Sequence, residues 1–289
     1  MGNRLISGKT KVCGIIGDPI EHTMSPVMHN AAFRKLGLDY VYLAFQVCQE
    51  ELDKAVAGVR ALNIRGLNVT IPHKVAIIPF LDKLDPLAEK IGAINTIVNE
   101  SGVLTGYNTD ATGFLQALLE RGIKPRGKKA IILGAGGAAR AISFILAERG
   151  ASMVILNRHL ARAEDLARRI AQFSPEEVKT LALNKENLKA ALANADIMIN
   201  TTSAGMVPGV DETPVPAQLL TKGLIVFDIV YNPVKTRLLK EAEAVGAQTI
   251  NGLDMLVWQG ALAFEKWTGR RAPLEVMKRE AIKALGHEN

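Results

Sequence analysis

Two side chains, a lysine and an aspartate, each closing a short polar string, are the ones best placed by type to move a proton. Lys74 ends Gly66-Leu67-Asn68-Val69-Thr70-Ile71-Pro72-His73-Lys74, and Asp110 ends Gly106-Tyr107-Asn108-Thr109-Asp110. Gly92-Ala93-Ile94-Asn95-Thr96 lies between them. Each string sets small residues beside amide or hydroxyl groups, as a site for a polyol requires. Reduction of a ketone builds negative charge on the carbonyl oxygen, so a proton donor must stand ready there. A lysine, with an ordinary pKa of ~10.4, already holds that proton at neutral pH. An aspartate beside it would favour the charged form and orient the ammonium. Singly, the three residues have plainer readings: a surface charge for Lys74, an Asx turn for Asn95, a helix cap for Asp110. Adjacent residues on an extended strand face opposite ways, so His73 is expected to be structural if Lys74 faces the site. His22 and His29 read as helix-flanking or packing residues, and the absence of a second ligand at metal spacing predicts no metal.

A second constellation points to a dinucleotide. Ile131-Ile132-Leu133-Gly134-Ala135-Gly136-Gly137-Ala138-Ala139 fits G-x-G-x-x-A between an apolar run and an alanine-rich helical pattern. Gly134 allows the tight turn, Gly136 lets the backbone approach a pyrophosphate, and Ala139 lets the helix lie close to the strand. The free N–H groups of the helix start then face the phosphates. At the end of the next apolar run, where an NAD site places a carboxylate for the ribose hydroxyls, stand Asn157 and Arg158, with Arg162 one turn on. Two guanidiniums in that place suit a 2′-phosphate. Charge-assisted hydrogen bonds contribute ~1.5–3 kcal/mol each before discounting for exposure, enough to favour NADP over NAD by about tenfold or more. The plainer reading is a solvated basic helix start.

Elements able to position these residues can be read along the chain. Apolar runs at 12–17, 40–47, 66–71, 128–133, 152–156, 195–200 and 224–229 predict strands, and helical patterns cover 26–36, 50–62, 138–149 and 161–172. Ser25 followed by Pro26 reads as an N-cap and first helical residue. The alternation of runs and helical patterns predicts α/β architecture with parallel strands, and the second half reads as a βαβ unit with further repeats. The stretch 253–285 is helical and too short to stand alone, so it is expected to pack back on the first domain. The fold class is therefore α/β with two domains: an N-terminal substrate domain, residues 1–112 and 251–289, and a Rossmann-type domain, 113–250.

Composition bounds the rest. The 289 residues are 48% hydrophobic and 22% charged, a mix that builds cores and argues against disorder. A net charge of +6 raises nucleic acid as a partner, but acids and bases alternate along the helices, as in 158–169, instead of clustering on one face. A small anionic substrate and cofactor account for it more simply. Residues 1–11 lack a long apolar core, and no apolar run reaches the ~18 residues of a membrane helix, so a cytoplasmic protein with no membrane partner is expected. Cys13 and Cys48, in strand-like runs without CxxC spacing, read as buried reduced thiols. The sequence does not fix an oligomeric state; a homodimer is compatible with it.

Together the three polar strings and the glycine loop resemble the shikimate/quinate dehydrogenase family over nearly the whole chain. Thr23-Met24-Ser25-Pro26, Asn157-Arg158, Tyr231-Asn232-Pro233 and the segment 252–259 match as well. The resemblance implies NADPH-dependent reduction of 3-dehydroshikimate to shikimate, in the route to chorismate and the aromatic amino acids. It makes Lys74 and Asp110 the catalytic pair. It makes Thr23, Ser25, Thr70, Asn95, Tyr231 and Gln259 contacts to the substrate's hydroxyls and carboxylate, although Gln259 also reads as a core glutamine on its helix face. It makes Gly134, Ala135, Gly136, Gly137, Ala138, Asn157, Arg158 and Arg162 contacts to NADP, with Ile229 and Gly252 near the nicotinamide. Departures from the family are Thr23 where serine is more usual, Ala111 where glycine is usual, and His159 in place of threonine. The first bears on shikimate against quinate, the last on NADP selectivity. Two alternatives stay open: a quinate/shikimate dehydrogenase with relaxed cofactor use, and a non-catalytic NADP(H)-binding module.

Overall fold

The structure, a computed structural model, describes residues 6–287. The chain divides into two compact units, one formed by residues up to Gly113 and from Val257 onward, the other by Phe114–Leu256.

The first unit is built in chain order from β1 (Lys11–Gly17), α1 (Ser25–Lys35), β2 (Tyr40–Gln46), α2 (Leu52–Ala61), β3 (Gly66–Val69), α3 (His73–Ala76), β4 (Lys83–Leu84), α4 (Pro86–Ile91), β5 (Thr96–Glu100) and β6 (Val103–Tyr107). The six strands form one sheet in the order β2-β1-β3-β5-β6-β4. β2, β1 and β3 run parallel, but β5 is antiparallel to both β3 and β6. The sheet is thus mixed, where parallel strands were expected throughout. The reversal is made by Ser101 and Gly102, both at positive φ, with Asn99 Oδ1 accepting from the Gly102 N–H at 2.8 Å. Two successive left-handed residues turn the chain in register with the strand twist. α4 shows how locally such elements are specified. Asp85 Oδ2 accepts from the Leu87 N–H, Pro86 opens the helix, and Gly92 at φ 68° closes it.

α5 (Asp110–Leu119) carries the chain into the second unit. There follow β7 (Lys129–Leu133), α6 (Gly137–Glu148), β8 (Ser152–Asn157), α7 (Leu160–Ala171), β9 (Val178–Ala182), α8 (Lys185–Leu192), β10 (Ile197–Asn200), β11 (Ile225–Asp228), α9 (Arg237–Ala244) and β12 (Gln248–Ile250). All six strands are parallel, in the order β12-β11-β10-β7-β8-β9. The order reverses at β7, the doubly wound arrangement whose ligands bind beyond the carboxyl ends of the strands at that switch point. β10 and β11 are buried at every position, as strands covered by helices on both faces must be.

α10 (Leu253–Thr268) returns the chain, and α11 (Leu274–His287) packs on α1. The helical stretch expected over 253–285 forms two helices, parted at Gly269 (φ 66°) and before Pro273, where a left-handed residue and a missing N–H stop the first. Among the described residues no helix is long and apolar enough to cross a membrane, and no cluster of three metal-ligating side chains occurs. Of the two cysteines, both free, Cys13 is buried in β1 but Cys48 is exposed. β2 ends at Gln46, so the apolar run around Cys48 leaves the sheet two residues too early to bury it.

His29 lies fully buried in α1, stacked on Tyr42 at 4.4 Å between ring centroids and tilted against Trp267 at 5.2 Å. Burial holds its imidazole neutral and lowers its pKa from 6.5 to about 3. Between those values the unfolded chain binds a proton that the folded one refuses, so stability falls with falling pH by about 1.4 kcal/mol per unit across that window. His29→Leu is expected to flatten this part of the acid limb, read from urea midpoints between pH 7 and pH 4 (about the span of the window). An unchanged pH slope would contradict the assignment.

Candidate active site

Lys74 reaches its place by an abrupt change of backbone. β3 ends at Val69, the Thr70 N–H donates to Ile16 O, and after the cis Ile71-Pro72 bond residues 73–76 form one helical turn, α3. The opposite-faces premise applied to His73 and Lys74 therefore fails, because the two stand about 100° apart on a helix rather than 180° apart on a strand. His73 is structural for a different reason. It is fully buried, and its Nε2 lies 2.7 Å from Val47 O. A carbonyl oxygen only accepts, so the ring proton sits on Nε2 and ties the turn to the chain leaving β2.

The loops before β5 and after β6 close on this turn. Ile94 N–H donates to Lys74 O, Asn95 N–H to Tyr107 O, and Thr109 N–H to Asn95 Oδ1, all between 2.8 and 3.0 Å. Asn108 Oδ1 accepts from the Ala111 N–H and starts α5, which leaves Asp110 as the first residue of that helix rather than its cap. Thr96 and Gly106 to Tyr107 belong to strands, not to the loops expected for them.

Four of the side chains singled out from the sequence meet here. Lys74 Nζ donates to Asp110 Oδ2 at 2.5 Å, with side-chain exposures of 15% and 5%. Asn95 Nδ2 donates to Asp110 Oδ1 at 2.8 Å and to Gln259 Oε1 at 3.2 Å. Gln259 is thus part of the polar cluster and not a core glutamine. It is set against Gly113, where an added Cβ would come within 2.9 Å of the Gln259 backbone nitrogen. Thr70 stands two residues before the cis proline, its methyl against Gly17. Thr23 and Ser25 form a turn of their own, with Thr23 Oγ1 accepting from the Ser25 N–H at 3.3 Å. Ser25 is the first residue of α1, with Met24 at the N-cap, so Ser25 does not cap the helix as expected. Tyr231 belongs to the second unit. Sequence reasoning passed over Asn68, Thr96 and Thr109, all buried and all bonded within this cluster. Their signal was present: each of the three polar strings pairs an asparagine with a threonine one or two residues on.

In the second unit Gly134 has φ 108°, and a Cβ there would meet Thr201 Oγ1 at 2.6 Å, so only glycine fits the turn. Gly136 is exposed with open space where a Cβ would project. α6 begins at Gly137, one residue before the expected start. Its N-terminus has neither a side-chain cap nor an acid in the first turn, among the described residues. A helix start without a side-chain cap, with open space beside Gly136 and with Ala135 and Ala138 adding little bulk, fits a pyrophosphate. Asn157 closes β8 and donates to His159 O, leaving Arg158 and Arg162 exposed at the start of α7. Of the two acids that follow on α7, Glu164 and Asp165, the second is paired with Arg140 at 3.0 Å. The donor set therefore fits a dinucleotide carrying a 2′-phosphate. Ile229 and Gly252 are brought together: a methyl at Gly252 would overlap the Ile229 carbonyl. Just before them, Asp228 is fully buried and accepts from Thr236 Oγ1, Asn200 Nδ2 and the Val230 N–H. Burial pushes its carboxyl up to about 6 against those three donors.

Three family models match in succession: the shikimate dehydrogenase substrate binding domain over residues 15–97, shikimate / quinate 5-dehydrogenase over 117–250, and the shikimate 5′-dehydrogenase C-terminal domain over 252–282. The chain belongs to the shikimate/quinate dehydrogenase family. Within that family it is 49% identical over 282 residues to the shikimate dehydrogenase (NADP(+)) of Moorella thermoacetica, covering 97% of this chain and 96% of that one. The shikimate dehydrogenase (NADP(+)) of Methanopyrus kandleri is 50% identical over 283 residues, covering 97% and 98%. Among solved structures, the shikimate 5-dehydrogenase of Listeria monocytogenes in complex with shikimate and NAD superposes with a TM-score of 0.87 at 47% identity, covering 96% and 98%.

Proposed function

We propose that this member of the family is an NADP-dependent shikimate dehydrogenase, reducing 3-dehydroshikimate to shikimate in the route to chorismate. The observation that carries the reading is the Lys74–Asp110 pair at 2.5 Å, held by Asn95 and bordered by Gln259. A reduced nicotinamide supplies the hydride. Lys74 Nζ donates a proton to the carbonyl oxygen as charge builds there, and regains one from solvent after product leaves. Asp110 keeps the ammonium aimed and accepts from a neighbouring substrate hydroxyl. Asn95, Gln259 and Thr70 take further hydroxyls. Thr23 and Ser25 take the carboxylate, and Tyr231 is a further substrate contact that the family implies. Gly134, Ala135, Gly136, Gly137 and Ala138 cradle the pyrophosphate, Asn157, Arg158 and Arg162 hold the 2′-phosphate end, and Ile229 and Gly252 border the nicotinamide. On this reading residues 1–112 and 251–289 serve the substrate and 113–250 the cofactor. The protein works in the cytoplasm on a small carboxylate, without nucleic acid, and a homodimer is compatible with that role.

A second reading, relaxed use of NAD or quinate, is favoured by Thr23 and by the NAD bound to the Listeria relative. Following the absorbance of the reduced nicotinamide with shikimate or quinate and NADP⁺ or NAD⁺, in all four combinations, separates the two. A strong rate only with shikimate and NADP⁺ supports the first; equal rates with quinate or NAD⁺ support the second; silence in all four overturns both. The arginines make a further prediction. The double variant Arg158→Ala/Arg162→Ala loses about ten- to a hundredfold in kcat/KM for NADP⁺ and little for NAD⁺. Equal losses with both cofactors would remove the 2′-phosphate role.

A further inference from the structure

The polar cluster does not stop at Asn95. Asn68 Nδ2 donates to Thr96 Oγ1 and to Asn95 O, both at 3.2 Å, and Thr96 Oγ1 donates to Asn95 Oδ1 at 3.1 Å. Behind Asn68 stands Tyr42, on the edge strand β2, whose hydroxyl donates to Asn68 Oδ1 at 2.7 Å. Tyr42 and Thr96 are 1% and 0% exposed, and Asn68 is 3% exposed. The series runs from a phenol on the sheet edge, across β3 and β5, to the carboxylate beside Lys74.

Its direction is forced at both ends. The Asn95 carbonyl oxygen only accepts, so Asn68 must turn Nδ2 toward it and Thr96, which leaves Asn68 Oδ1 to accept from the Tyr42 hydroxyl. A threonine hydroxyl that accepts from Asn68 has one proton left, which goes to Asn95 Oδ1. With its oxygen engaged by Thr96 and by the Thr109 N–H, Asn95 can present only Nδ2 to Asp110 Oδ1. An asparagine flipped end for end would set its carbonyl oxygen against that carboxylate, lone pair to lone pair. Hydrogen bonds in such a series also polarise one another in the same sense.

We infer that Tyr42, Asn68 and Thr96 are positioning residues that fix the orientation of the Asn95 amide and through it the aim of Asp110 on Lys74. The inference rests on the dehydrogenase reading for its kinetic consequence and on the hydrogen bonds alone for its structural one. Tyr42 reaches no reacting atom; its stack on His29 fixes the ring, and only its hydroxyl enters the series.

Tyr42→Phe removes that hydroxyl and keeps the ring. It is expected to lower kcat with shikimate about five- to tenfold, the rate equivalent of one misdirected buried hydrogen bond, with the KM for NADP⁺ within about twofold of wild type. Thr96→Val should do the same, and Thr96→Ser, which keeps the hydroxyl, should recover most of the loss. In a protein with no substrate or cofactor added, hydrogen exchange of the Asn95 side-chain amide is expected to be slow in wild type and accelerated in Tyr42→Phe. Circular dichroism establishes that each variant is folded. An unchanged kcat in Tyr42→Phe and Thr96→Val, with only a lower melting temperature, would overturn the inference. So would amide exchange no faster than wild type. A wild-type protein inert toward shikimate would overturn the dehydrogenase reading instead, and the exchange measurement would still decide the orientation of Asn95.

Discussion

Lys74→Met is expected to lower kcat for shikimate oxidation, and for the reverse reduction, by about a hundred- to ten-thousandfold, the range a positioned acid–base group contributes. Methionine matches the length of the lysine stem and removes only the ammonium. The hydroxyl contacts of Asn95 and Gln259 survive, so KM for shikimate should move far less than kcat, as for an interaction made mainly in the transition state. Asp110 would then be a carboxylate 4% exposed without its cation, still accepting from Asn95 Nδ2. Some stability is lost with it, since a buried charge stripped of its partner is costly, and activity must be compared at equal folded fraction. Lys74→Arg is not a rescue: a guanidinium with an ordinary pKa above ~12 gives up no proton on the time scale of turnover. Steady-state rates of folded Lys74→Met within about tenfold of wild type would remove Lys74 from the chemistry.

The largest expected effect on stability lies at Trp267, at the end of α10. Its side chain is 1% exposed and its indole N–H donates to Ile97 O at 2.9 Å. The ring covers Gly66 so closely that any side chain there would overlap it. Its carbonyl oxygen accepts from Arg65 Nε at 3.0 Å and from the Tyr40 hydroxyl at 3.3 Å. Trp267→Ala therefore opens a cavity beneath α10 and strands the Ile97 carbonyl, and a loss of about 3–5 kcal/mol is expected from urea unfolding. That is a large part of the ~5–15 kcal/mol that holds a typical protein folded. Gln259 lies two turns earlier on the same helix, so the KM for shikimate should rise in whatever fraction stays folded. A loss under about 1 kcal/mol would mean that the site collapses around the vacancy, and that the indole is not the clamp described here.

Legibility in the sequence followed how local the physical signal was. The β7–α6 turn was readable because a left-handed Gly134 and a bare Gly136 are demands made within five residues. β10 and β11, buried on both faces, announced themselves as unbroken apolar runs. The β5–β6 hairpin did not. Its strands hold polar residues whose partners lie on β3 and α2, and its turn uses Ser101-Gly102 in place of the usual asparagine-glycine pair. Lys74 was picked out by its string, yet the string's geometry was read as a strand, because the switch to a helical turn at His73 depends on the Val47 carbonyl, far away in sequence. The apolar neighbours of Cys48 predict a buried thiol, and only the end of β2 at Gln46 decides otherwise. The catalytic pair was legible as two residues, whereas the amide and hydroxyl series that aims one at the other becomes visible only when β2, β1, β3 and β5 are assembled in one sheet.

The central claim, that Lys74 and Asp110 reduce a cyclic ketone with hydride from NADPH, is tested most directly in a single turnover. Wild-type protein in excess is mixed with limiting NADPH and 3-dehydroshikimate, and both the nicotinamide absorbance and the shikimate formed are measured. Every NADPH consumed is expected to yield one shikimate, and Lys74→Met is expected to consume none on the same time scale. Stable NADPH absorbance with the wild-type protein, or NADPH loss without shikimate, would contradict it.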